Sequence, residues 1–211
     1  MKNKQTVEFF SGTESFSKVA KKRGYATYTF DINPSFRSML WGDILKVEAN
    51  DFPKNIFVLW ASPPCKRFSV ASIGKSWCKR NYCPSRSETA LAMAHVLRTI
   101  ELIKELKPKY WFIENPRGIL RKMAFMDGLH RKTVSYCQYG DKRMKPTDIW
   151  TNLVKWKPRK MCKNGDSCHE AAPRGSKTGT QGLKSSIERG VIPPALFEEI
   201  FDVVEGGKYR K

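Results

Sequence analysis

The sequence predicts an α/β protein in which helices cover both faces of a mostly parallel sheet. Residues 56–61 form an uninterrupted apolar run, the pattern of a strand that is buried on both faces. Short apolar runs alternate with helical patterns along the chain, as βαβ units require. The 211 residues, of which 40% are hydrophobic, suffice for one such domain with its own core.

The first unit has the βαβ layout of a nucleotide-type cofactor site. Residues 6–10 form a short strand, a turn through Gly12 follows, and residues 16–23 predict a helix. Residues 26–32 form the next strand, near whose end stands Asp31. Gly12 would let a ligand approach the backbone, and Asp31 would accept hydrogen bonds from ribose hydroxyls. Because the turn has one glycine instead of three, an ordinary βαβ turn is the alternative.

The middle of the chain is predicted as a loop, the apolar strand, a second loop and a long helix. Asp43 follows a glycine in the first loop, where it would bind an adenine amino group or cap a turn. Residues 66–84 are basic, aromatic and loop-like, and residues 85–106 predict the helix. His95 lies among apolar positions of this helix, so we interpret it as structural.

Two strands end in residues that carry chemistry. Two prolines stop the apolar strand and present Cys65 beyond its carboxyl end, where open α/β sheets bind ligands. Lys66 and Arg67 follow, and their charge is expected to lower the pKa of the thiol. The strand at residues 110–113 ends in Glu114. If the two strands are parallel, Cys65 and Glu114 emerge at the same edge of the sheet.

The last third of the chain contains two further strands and a terminal helix. Residues 132–136 and 149–151 predict strands that pair like a hairpin, joined by a basic turn at residues 138–147. Residues 155–185 are the least regular stretch. From Val191 onward the pattern predicts an amphipathic helix that starts with prolines.

The charge of the chain favours a polyanionic partner. Its 39 Lys and Arg against 20 Asp and Glu give a net charge of +19, which suits nucleic acid. No apolar run is long enough to span a bilayer, and no signal peptide is recognised, so we expect a cytoplasmic protein without a membrane partner. In that reducing compartment, six cysteines indicate metal binding, catalysis or packing instead of disulfides.

A cysteine and a carboxylic acid at neighbouring strand ends suit methylation of a pyrimidine carbon. C5 of cytosine is a poor nucleophile, and addition of a thiolate to C6 gives it enamine character. A carboxylic acid at N3 stabilises the charge that develops during this addition. A base in duplex DNA must first be flipped out, at a cost of about a few kcal/mol.

The residues resemble, in order and over nearly the whole chain, the motifs of the DNA cytosine-5 methyltransferase family. Residues 10–16 resemble its first cofactor motif, residues 62–65 its nucleophile motif, and residues 112–116 its Glu-Asn motif. Residues 139–147 stand where the family has a motif rich in glutamine and arginine, and residues 190–196 resemble the last motif. The common order makes this resemblance more specific than any single motif.

The resemblance implies a Rossmann-like methyltransferase fold, S-adenosylmethionine as cofactor and DNA as partner. It implies that Cys65 is the nucleophile and that Glu114 contacts N3 of the base. It further implies that Arg143 or Lys145 holds O2 of the flipped base or a flanking phosphate. The implied cofactor-binding residues are Phe10, Ser11, Gly12, Thr13, Ser15, Asp31, Ile32, Asp43, Ile44 and Pro63.

Departures from the family pattern suggest a compact, divergent branch of the kind found in phage genomes, which would place the protein in the host cytoplasm. Lys66 stands where the family usually has glutamine, and Pro116 where it usually has valine. The arginines of the basic motif are shifted, which leaves the choice between Arg143 and Lys145 open. The asparagine of the last motif is replaced, with Arg189 beside it.

The largest departure is a small target-recognition region. We predict a catalytic core at residues 1–152, a small basic recognition insert at residues 153–185, and a C-terminal helix at residues 186–211 that returns to the core. So short an insert makes few base-edge contacts, which implies a short or relaxed recognition sequence. Phosphate contacts would then dominate the affinity and make it salt-dependent. We expect a monomer on DNA.

Cysteine and histidine within the insert form a candidate zinc site. Cys162, Cys168 and His169 are suitable ligands, and small irregular segments often need such a staple. The spacing is not that of a standard zinc knuckle, and the fourth ligand is open; the candidates are Cys137, Cys78 and Cys83. Unligated thiols on a loop are the alternative.

Three other functions stay open at the level of sequence. An RNA cytosine-5 methyltransferase would use the same chemistry. A methyltransferase of exocyclic amines would also have a Ser-Pro-Pro turn, but with an aromatic residue where this chain has Cys65. A basic nucleic-acid-binding protein without turnover is the third, and the presence of Glu114 and the cofactor acids beside Cys65 argues against it.

Overall fold

The computed structural model describes residues 4–36, 38–69, 72, 74–78, 80–171 and 185–206. Seven strands in this part of the chain join into one sheet. They are β1 Gln5–Phe9, β2 Ala26–Asp31, β3 Leu40–Trp41, β4 Ile56–Ala61, β5 Tyr110–Pro116, β6 Arg131–Ser135 and β7 Pro146–Thr151. The α-helices are α1 Ser15–Lys22, α2 Ser87–Leu106, α3 Ser186–Gly190 and α4 Pro194–Val204. Short 3-10 helices lie at Ala49–Asp51, Leu120–Lys122, Ala124–Met126 and Tyr136–Tyr139.

The sheet has the strand order β3-β2-β1-β4-β5-β7-β6. The first five strands are parallel, whereas β7 runs antiparallel to both of its neighbours. This order confirms the predicted mostly parallel sheet and the hairpin-like pairing of the two late strands. The strand expected at residues 110–113 continues to Pro116, because β7 pairs with it up to the Thr147 and Pro116 partners.

Helices cover both faces of the sheet, as predicted. Side chains of α1 and α4 pack in one core cluster, and side chains of α2 pack in a second. Along β4, Val58 and Trp60 belong to the first cluster while Leu59 and Ala61 belong to the second. This alternation is what a strand buried on both faces requires, since successive side chains point to opposite sides.

The C-terminal helix returns to the core, where it packs beside α1. Arg23, which caps α1, pairs with Glu198, Asp202 and Glu205, at nitrogen-to-oxygen distances of 2.6, 2.7 and 2.8 Å. Because these acids follow one another along α4, they fix the helix along the end of α1. The residues beyond 206 lie outside the described part of the chain.

The sequence did not indicate β3, and the start of the predicted insert belongs to the core. β3 has two residues, too short for a periodic pattern. Leu153 and Trp156 are 3% and 0% exposed and pack in the first core cluster, so the irregular segment begins after them. Residues 172–184 of the predicted insert lie outside the described residues. Within the described residues, no helix is long and apolar enough to cross a membrane.

Glu8 is a buried carboxyl group that links β1 to the start of α1. Its carboxylate accepts hydrogen bonds from the backbone N–H groups of Phe16 and Ser17, at 3.3 and 2.9 Å. Burial outweighs these contacts and raises the pKa of Glu8 to about 7. No sequence pattern distinguished this glutamate from a solvated one.

We expect the stability of the protein to fall as the pH rises from about 4.5 to about 7, the ordinary and the raised pKa of Glu8. In this window the folded protein keeps a proton that the unfolded chain has lost, so the free energy of unfolding falls as the pH rises. Over the whole window the loss is roughly 3 kcal/mol. Glu8→Gln should remove this part of the pH dependence. Urea unfolding at both ends of the window measures it, with the exposed Glu101→Gln as control. Equal pH dependence in wild type and Glu8→Gln would contradict the assignment.

Candidate active site

The carboxyl ends of the parallel strands bring the predicted site residues to one edge of the sheet. β1 leads into the turn around Gly12, and β2 ends at Asp31. β4 leads to Cys65, and Glu114 lies near the end of β5. Since β4 and β5 are parallel neighbours, the expectation that Cys65 and Glu114 emerge at the same edge is confirmed.

The loop after β4 exposes Cys65 and is held from behind by the neighbouring strand. The Asn115 side chain, on β5, donates to the carbonyl of the buried Pro63 at 3.0 Å. The carbonyl of Cys65 accepts from the N–H of Phe68 at 3.0 Å, which closes a turn. The cysteine is therefore both exposed and fixed.

Gly118 makes the closest backbone approach to this loop. The N–H of Ile119 donates to the carbonyl of Phe68 at 2.8 Å. A Cβ atom added at Gly118 would lie far inside contact distance of the Phe68 oxygen, and 3.3 Å from the Cα of Ser69. Only glycine lets the chain after β5 cross the loop that carries Cys65.

We expect Gly118→Ala to lower any activity that depends on the Cys65 thiol by about a hundredfold, because a displacement of about 1 Å at a reacting atom has that effect. The backbone of Phe68 and Ser69 must move, and Cys65 moves with it. The matched control is Gly190→Ala, since a Cβ there meets nothing within 4 Å. Activity and thermal unfolding of both variants measure the effect. A fully active Gly118→Ala would show that the loop position is not critical.

Glu114 lies near the loop and is largely shielded from solvent. Its side chain is 6% exposed, and its Oε1 atom accepts from the hydroxyl of Tyr136 at 2.9 Å. Burial raises the pKa of Glu114, while Lys145 and the hydroxyls of Tyr136 and Ser62 act in the opposite direction. The raised pKa favours the neutral acid, which can donate a hydrogen bond to a base.

The thiol of Cys65 titrates above, not below, its ordinary range. Desolvation by the surrounding protein raises the pKa of Cys65, and the charge of Glu114 raises it further. Lys145 and Arg189 lower it, but not enough to reverse the shift. The expectation that Lys66 and Arg67 hold this pKa low is therefore wrong, because desolvation and the nearby carboxylate outweigh all the cations.

The structure separates the two basic residues between which the sequence could not decide. Arg143 is 5% exposed and forms a two-pronged ion pair with Asp141. Its remaining donors bind the backbone carbonyls of Arg189 and Val191, both at 3.1 Å, and of Glu188 at 3.4 Å. Through these contacts the guanidinium group holds the chain around α3 in place.

Lys145, in contrast, lies near both Cys65 and Glu114. Its ammonium donates to the carbonyl of Arg189 at 2.8 Å and lies 4.7 Å from the centre of the Tyr136 ring. Its charge acts on both Cys65 and Glu114. Burial lowers the pKa of Lys145, and Glu114 opposes that shift.

The turn after β1 and the end of β2 form the candidate cofactor site. Gly12, with a φ of +46°, donates its N–H to Oδ2 of Asp31 at 2.9 Å. The other oxygen of Asp31 accepts from the N–H of Asn33 at 2.8 Å. Ser11 is buried, and its hydroxyl lies 2.9 Å from that of Ser38. Phe10, with a φ of +55°, starts this turn and is half-buried.

Three other predicted cofactor residues, Thr13, Ser15 and Asp43, make polar contacts of their own. Thr13 and Ser15 pair through their hydroxyls at 3.0 Å, and Ser15 also accepts from the N–H of Ile192 at 3.3 Å. Asp43 is half-buried and accepts from the N–H of Leu45 at 3.0 Å. This last contact is that of a turn cap, and it leaves the second carboxylate oxygen without a partner among the hydrogen bonds of the described residues.

Two apolar residues of the candidate cofactor site differ in their accessibility. Ile32 is 57% exposed, and its carbonyl accepts from the indole of Trp41, itself 67% exposed, at 2.7 Å. Ile44 is 2% exposed and packs in the core, so a ligand can reach it only through backbone atoms. The exposed pair forms an apolar surface beside Asp31.

The predicted metal ligands lie together, next to the start of the basic motif at residues 139–147. Cys162, Cys168 and His169 form one cluster, and Cys137 is its fourth member. Of the three candidates for a fourth ligand, Cys78 and Cys83 lie elsewhere, in the loop that follows Cys65, where they interact with each other.

Three residues of the site were not predicted from the sequence. Tyr136 follows β6 and contacts Glu114 across the intervening strand β7. Ser62 lies between Trp60, whose indole donates to it at 2.9 Å, and Glu114. Asn115 was noted only as part of a motif. Ser62 and Asn115 stand beside recognised motif residues in the sequence, and this position is the one signal that could have identified them.

Comparison with known proteins finds a matching family and a relative that aligns over almost its whole length. The family described as C-5 cytosine-specific DNA methylase matches residues 9–126. A protein of Frog virus 3 (isolate Goorha), named "Probable DNA (cytosine-5)-methyltransferase", is 30% identical over 216 residues. That alignment covers 93% of this chain and 98% of the viral protein.

The chain is similar to solved structures, one of which shares its fold by a TM-score above 0.5. A methyltransferase of Entamoeba histolytica is 15% identical and aligns with a TM-score of 0.53, over 77% of this chain and 58% of its own. A DNA modification methyltransferase described from an Escherichia coli prophage is 19% identical, with a TM-score of 0.49, over 77% of this chain and 52% of its own. The chain thus spans little more than half the length of these two structures. The likeness supports the predicted Rossmann-like methyltransferase fold.

Proposed function

Because the chain belongs to the family of C-5 cytosine-specific DNA methylases, we propose that it transfers a methyl group from S-adenosylmethionine to C5 of cytosine in DNA. The observation that carries the proposal is the pair of Cys65 and Glu114 at adjacent parallel strand ends. The reaction needs a thiol that a base can reach, and Cys65 is exposed. It also needs a carboxyl group that keeps its proton, and Glu114 is buried.

The side chains divide the reaction between them. The sulfur of Cys65, as thiolate, adds to C6 of the flipped cytosine, and the electron pair moves through the ring toward N3. Glu114, whose pKa is raised by burial, donates its proton to N3 as that charge develops. After C5 has been methylated, a base removes the C5 proton and the C6–S bond breaks, while the Glu114 carboxylate takes its proton back from N3. This restores the ring, the acid and the thiolate.

The residues at the ends of β1 and β2 fit S-adenosylmethionine. The left-handed turn at Gly12 lets a ligand approach the backbone closely, and a Cβ atom placed there has no side chain within 4 Å. Asp31 keeps free lone pairs on both oxygens for ribose hydroxyls, and Asp43 has one free oxygen. Exposed Ile32 and Trp41 give an adenine ring an apolar surface. The cofactor would supply an electrophilic methyl group.

Lys145 is the better choice for the cation that holds O2 of the flipped base. It acts electrostatically on both members of the catalytic pair, whereas all the described contacts of Arg143 are structural. The ammonium also opposes the negative charge that appears when Cys65 ionises.

We expect Lys145→Gln to lower kcat by about a hundredfold, as the loss of one donor to a developing charge does. Arg143→Gln should instead lower the thermal stability, since it removes the ion pair with Asp141 and the ties to α3. The exposed Lys142→Gln is the matched control. Steady-state kinetics and thermal unfolding of the three variants separate the roles. A larger loss of kcat in folded Arg143→Gln than in Lys145→Gln would reverse the assignment.

The proposed specificity is low. The described residues between β7 and the end of the segment at position 171 form no helix or strand that could enter a DNA groove. With a net charge of +19, contacts to phosphates would supply most of the affinity and make it strongly dependent on salt.

Sequencing of methylated DNA tests the proposal most directly. The purified protein is incubated with S-adenosylmethionine and DNA of mixed sequence. Mass spectrometry of the digested nucleosides, against standards, identifies the modified base and atom, and bisulfite sequencing reports the sequence context. We expect 5-methylcytosine in short contexts, with DNA favoured over RNA in competition. N4-methylcytosine or N6-methyladenine, methylation of RNA alone, or the absence of any transfer by folded protein would overturn it.

A further inference from the structure

Four soft metal ligands lie together beside the active site, at a place that the proposed reaction does not use. The sulfur atoms of Cys137, Cys162 and Cys168 and a ring nitrogen of His169 all lie within 4.8 Å of one another. Cys137 and Cys162 are buried, His169 is half-buried and Cys168 is exposed. Such a set differs from a chance grouping of surface acids, because three of its four members are thiols.

Three of the distances within this cluster are close to the edges of a zinc tetrahedron. With Zn–S and Zn–N bonds of about 2.3 and 2.1 Å, tetrahedral geometry places sulfur atoms about 3.8 Å apart and sulfur about 3.6 Å from nitrogen. The Cys168 and Cys137 sulfurs are 3.6 Å apart. Nδ1 of His169 lies 3.7 Å from the Cys162 sulfur and 3.5 Å from the Cys168 sulfur. The Cys137 and Cys162 sulfurs, at 3.0 Å, are closer than the tetrahedron needs but well beyond bonding distance.

The cluster joins two parts of the chain that are far apart in sequence. Cys137 belongs to the 3-10 helix Tyr136–Tyr139, next to the tyrosine that donates to Glu114. The other three ligands belong to the segment after β7, where residues 157–171 form no helix or strand. Arg159 fixes the start of this segment to Gln138, Tyr139 and Glu199, and metal ligation would fix the residues that follow it.

Contacts around the four ligands complete such a site. The side-chain amide of Gln138 donates to the sulfur of Cys168 at 3.3 Å, as outer contacts to zinc thiolates do. The N–H of Glu170 donates to the carbonyl of Lys142 at 2.9 Å, directly after the last ligand. Four protein ligands leave no open position on a tetrahedral ion, so the site is structural and not catalytic.

We propose that Cys137, Cys162, Cys168 and His169 bind one zinc ion that holds residues 157–171 against the Tyr136–Tyr139 turn. The ion thereby supports the turn that carries Tyr136. The hydroxyl of this tyrosine donates a hydrogen bond to Glu114. This inference concerns the chain's architecture and does not depend on the methyl acceptor.

Metal analysis of the purified protein tests the proposal. We expect about one zinc per chain in wild type after dialysis against metal-free buffer, and a loss of at least about tenfold in Cys137→Ser and in His169→Asn. Cys78→Ser is the matched control and should keep its zinc, because Cys78 lies in the other loop. Exchange of zinc for cobalt in wild type should give the intense visible absorption of tetrahedral thiolate coordination.

The segment itself gives a second measurement that does not depend on a mutation. Removal of zinc by a chelator should expose Arg159, Lys160 and Lys163 to trypsin while far-UV circular dichroism keeps its helical signal. Substoichiometric zinc with a weak, octahedral cobalt spectrum would overturn the proposal. So would a disulfide between Cys137 and Cys162 in protein purified under reducing conditions, or equal zinc loss in Cys78→Ser.

Discussion

Cys65→Ala is expected to abolish methyl transfer to DNA, with a loss of more than roughly a thousandfold, because the proposed addition to C6 of the base requires the thiolate of Cys65. DNA that contains 5-fluorocytosine should trap the wild-type protein in a covalent complex when S-adenosylmethionine is present, since fluorine at C5 cannot leave as a proton does. The trapped species is measured by denaturing electrophoresis, where Cys65→Ala should show none.

Cys78→Ala is the control, since Cys78 is a free thiol in the same region that lies outside the catalytic pair. It should trap and methylate like wild type. If Cys65→Ala methylates DNA at an undiminished rate, the covalent route is wrong, and an exocyclic amine becomes the acceptor.

The raised pKa of Cys65 adds a pH dependence to the same experiment. Alkylation of Cys65 by iodoacetamide in the free protein should keep accelerating with pH beyond 9.0, the ordinary pKa of a thiol, because the raised pKa leaves more than half of Cys65 protonated at that pH. Lys145→Gln should move this rise to higher pH, since Lys145 lowers the pKa. A rise that ends below the ordinary value would contradict the structural assignment.

The fold and the meeting of Cys65 and Glu114 at one edge of the sheet could be predicted because they depend on where apolar runs begin and end. Apolar runs stopped by proline gave β4 and β5, and the general rule for parallel strands then placed Cys65 and Glu114 at one edge. Those inferences need only the direction of each strand and its end. They do not need the positions of strands on the far side of the sheet.

The surroundings of the pair could not be predicted, because they depend on strand order and on segments that meet late in the chain. β7 inserts between β5 and β6, so Tyr136 reaches Glu114 across a strand that a sequence pattern cannot position. The choice between Arg143 and Lys145 depends on backbone carbonyls around α3, more than 40 residues away. The sign of the shift at Cys65 depends on desolvation, which only packing determines.

Glu114→Gln is expected to lower kcat by roughly a hundredfold to ten-thousandfold, the usual contribution of a general acid. Glutamine keeps the size and can donate a hydrogen bond to N3, but it cannot transfer a proton as the buried acid does. DNA binding and the fold should change little, so the loss appears in kcat and not in the dissociation constant. Single-turnover methyl transfer measures it, with the exposed Glu105→Gln as control.

Tyr136→Phe separates the role of the carboxyl group from that of its hydrogen-bond partner. The tyrosine hydroxyl holds the pKa of Glu114 down by stabilising the carboxylate, so its removal should raise that pKa further. Glu114 then stays protonated to higher pH, and the alkaline fall of kcat should move upward in pH. A downward movement, or full activity in Glu114→Gln, would show that the neutral acid is not the form that acts on N3.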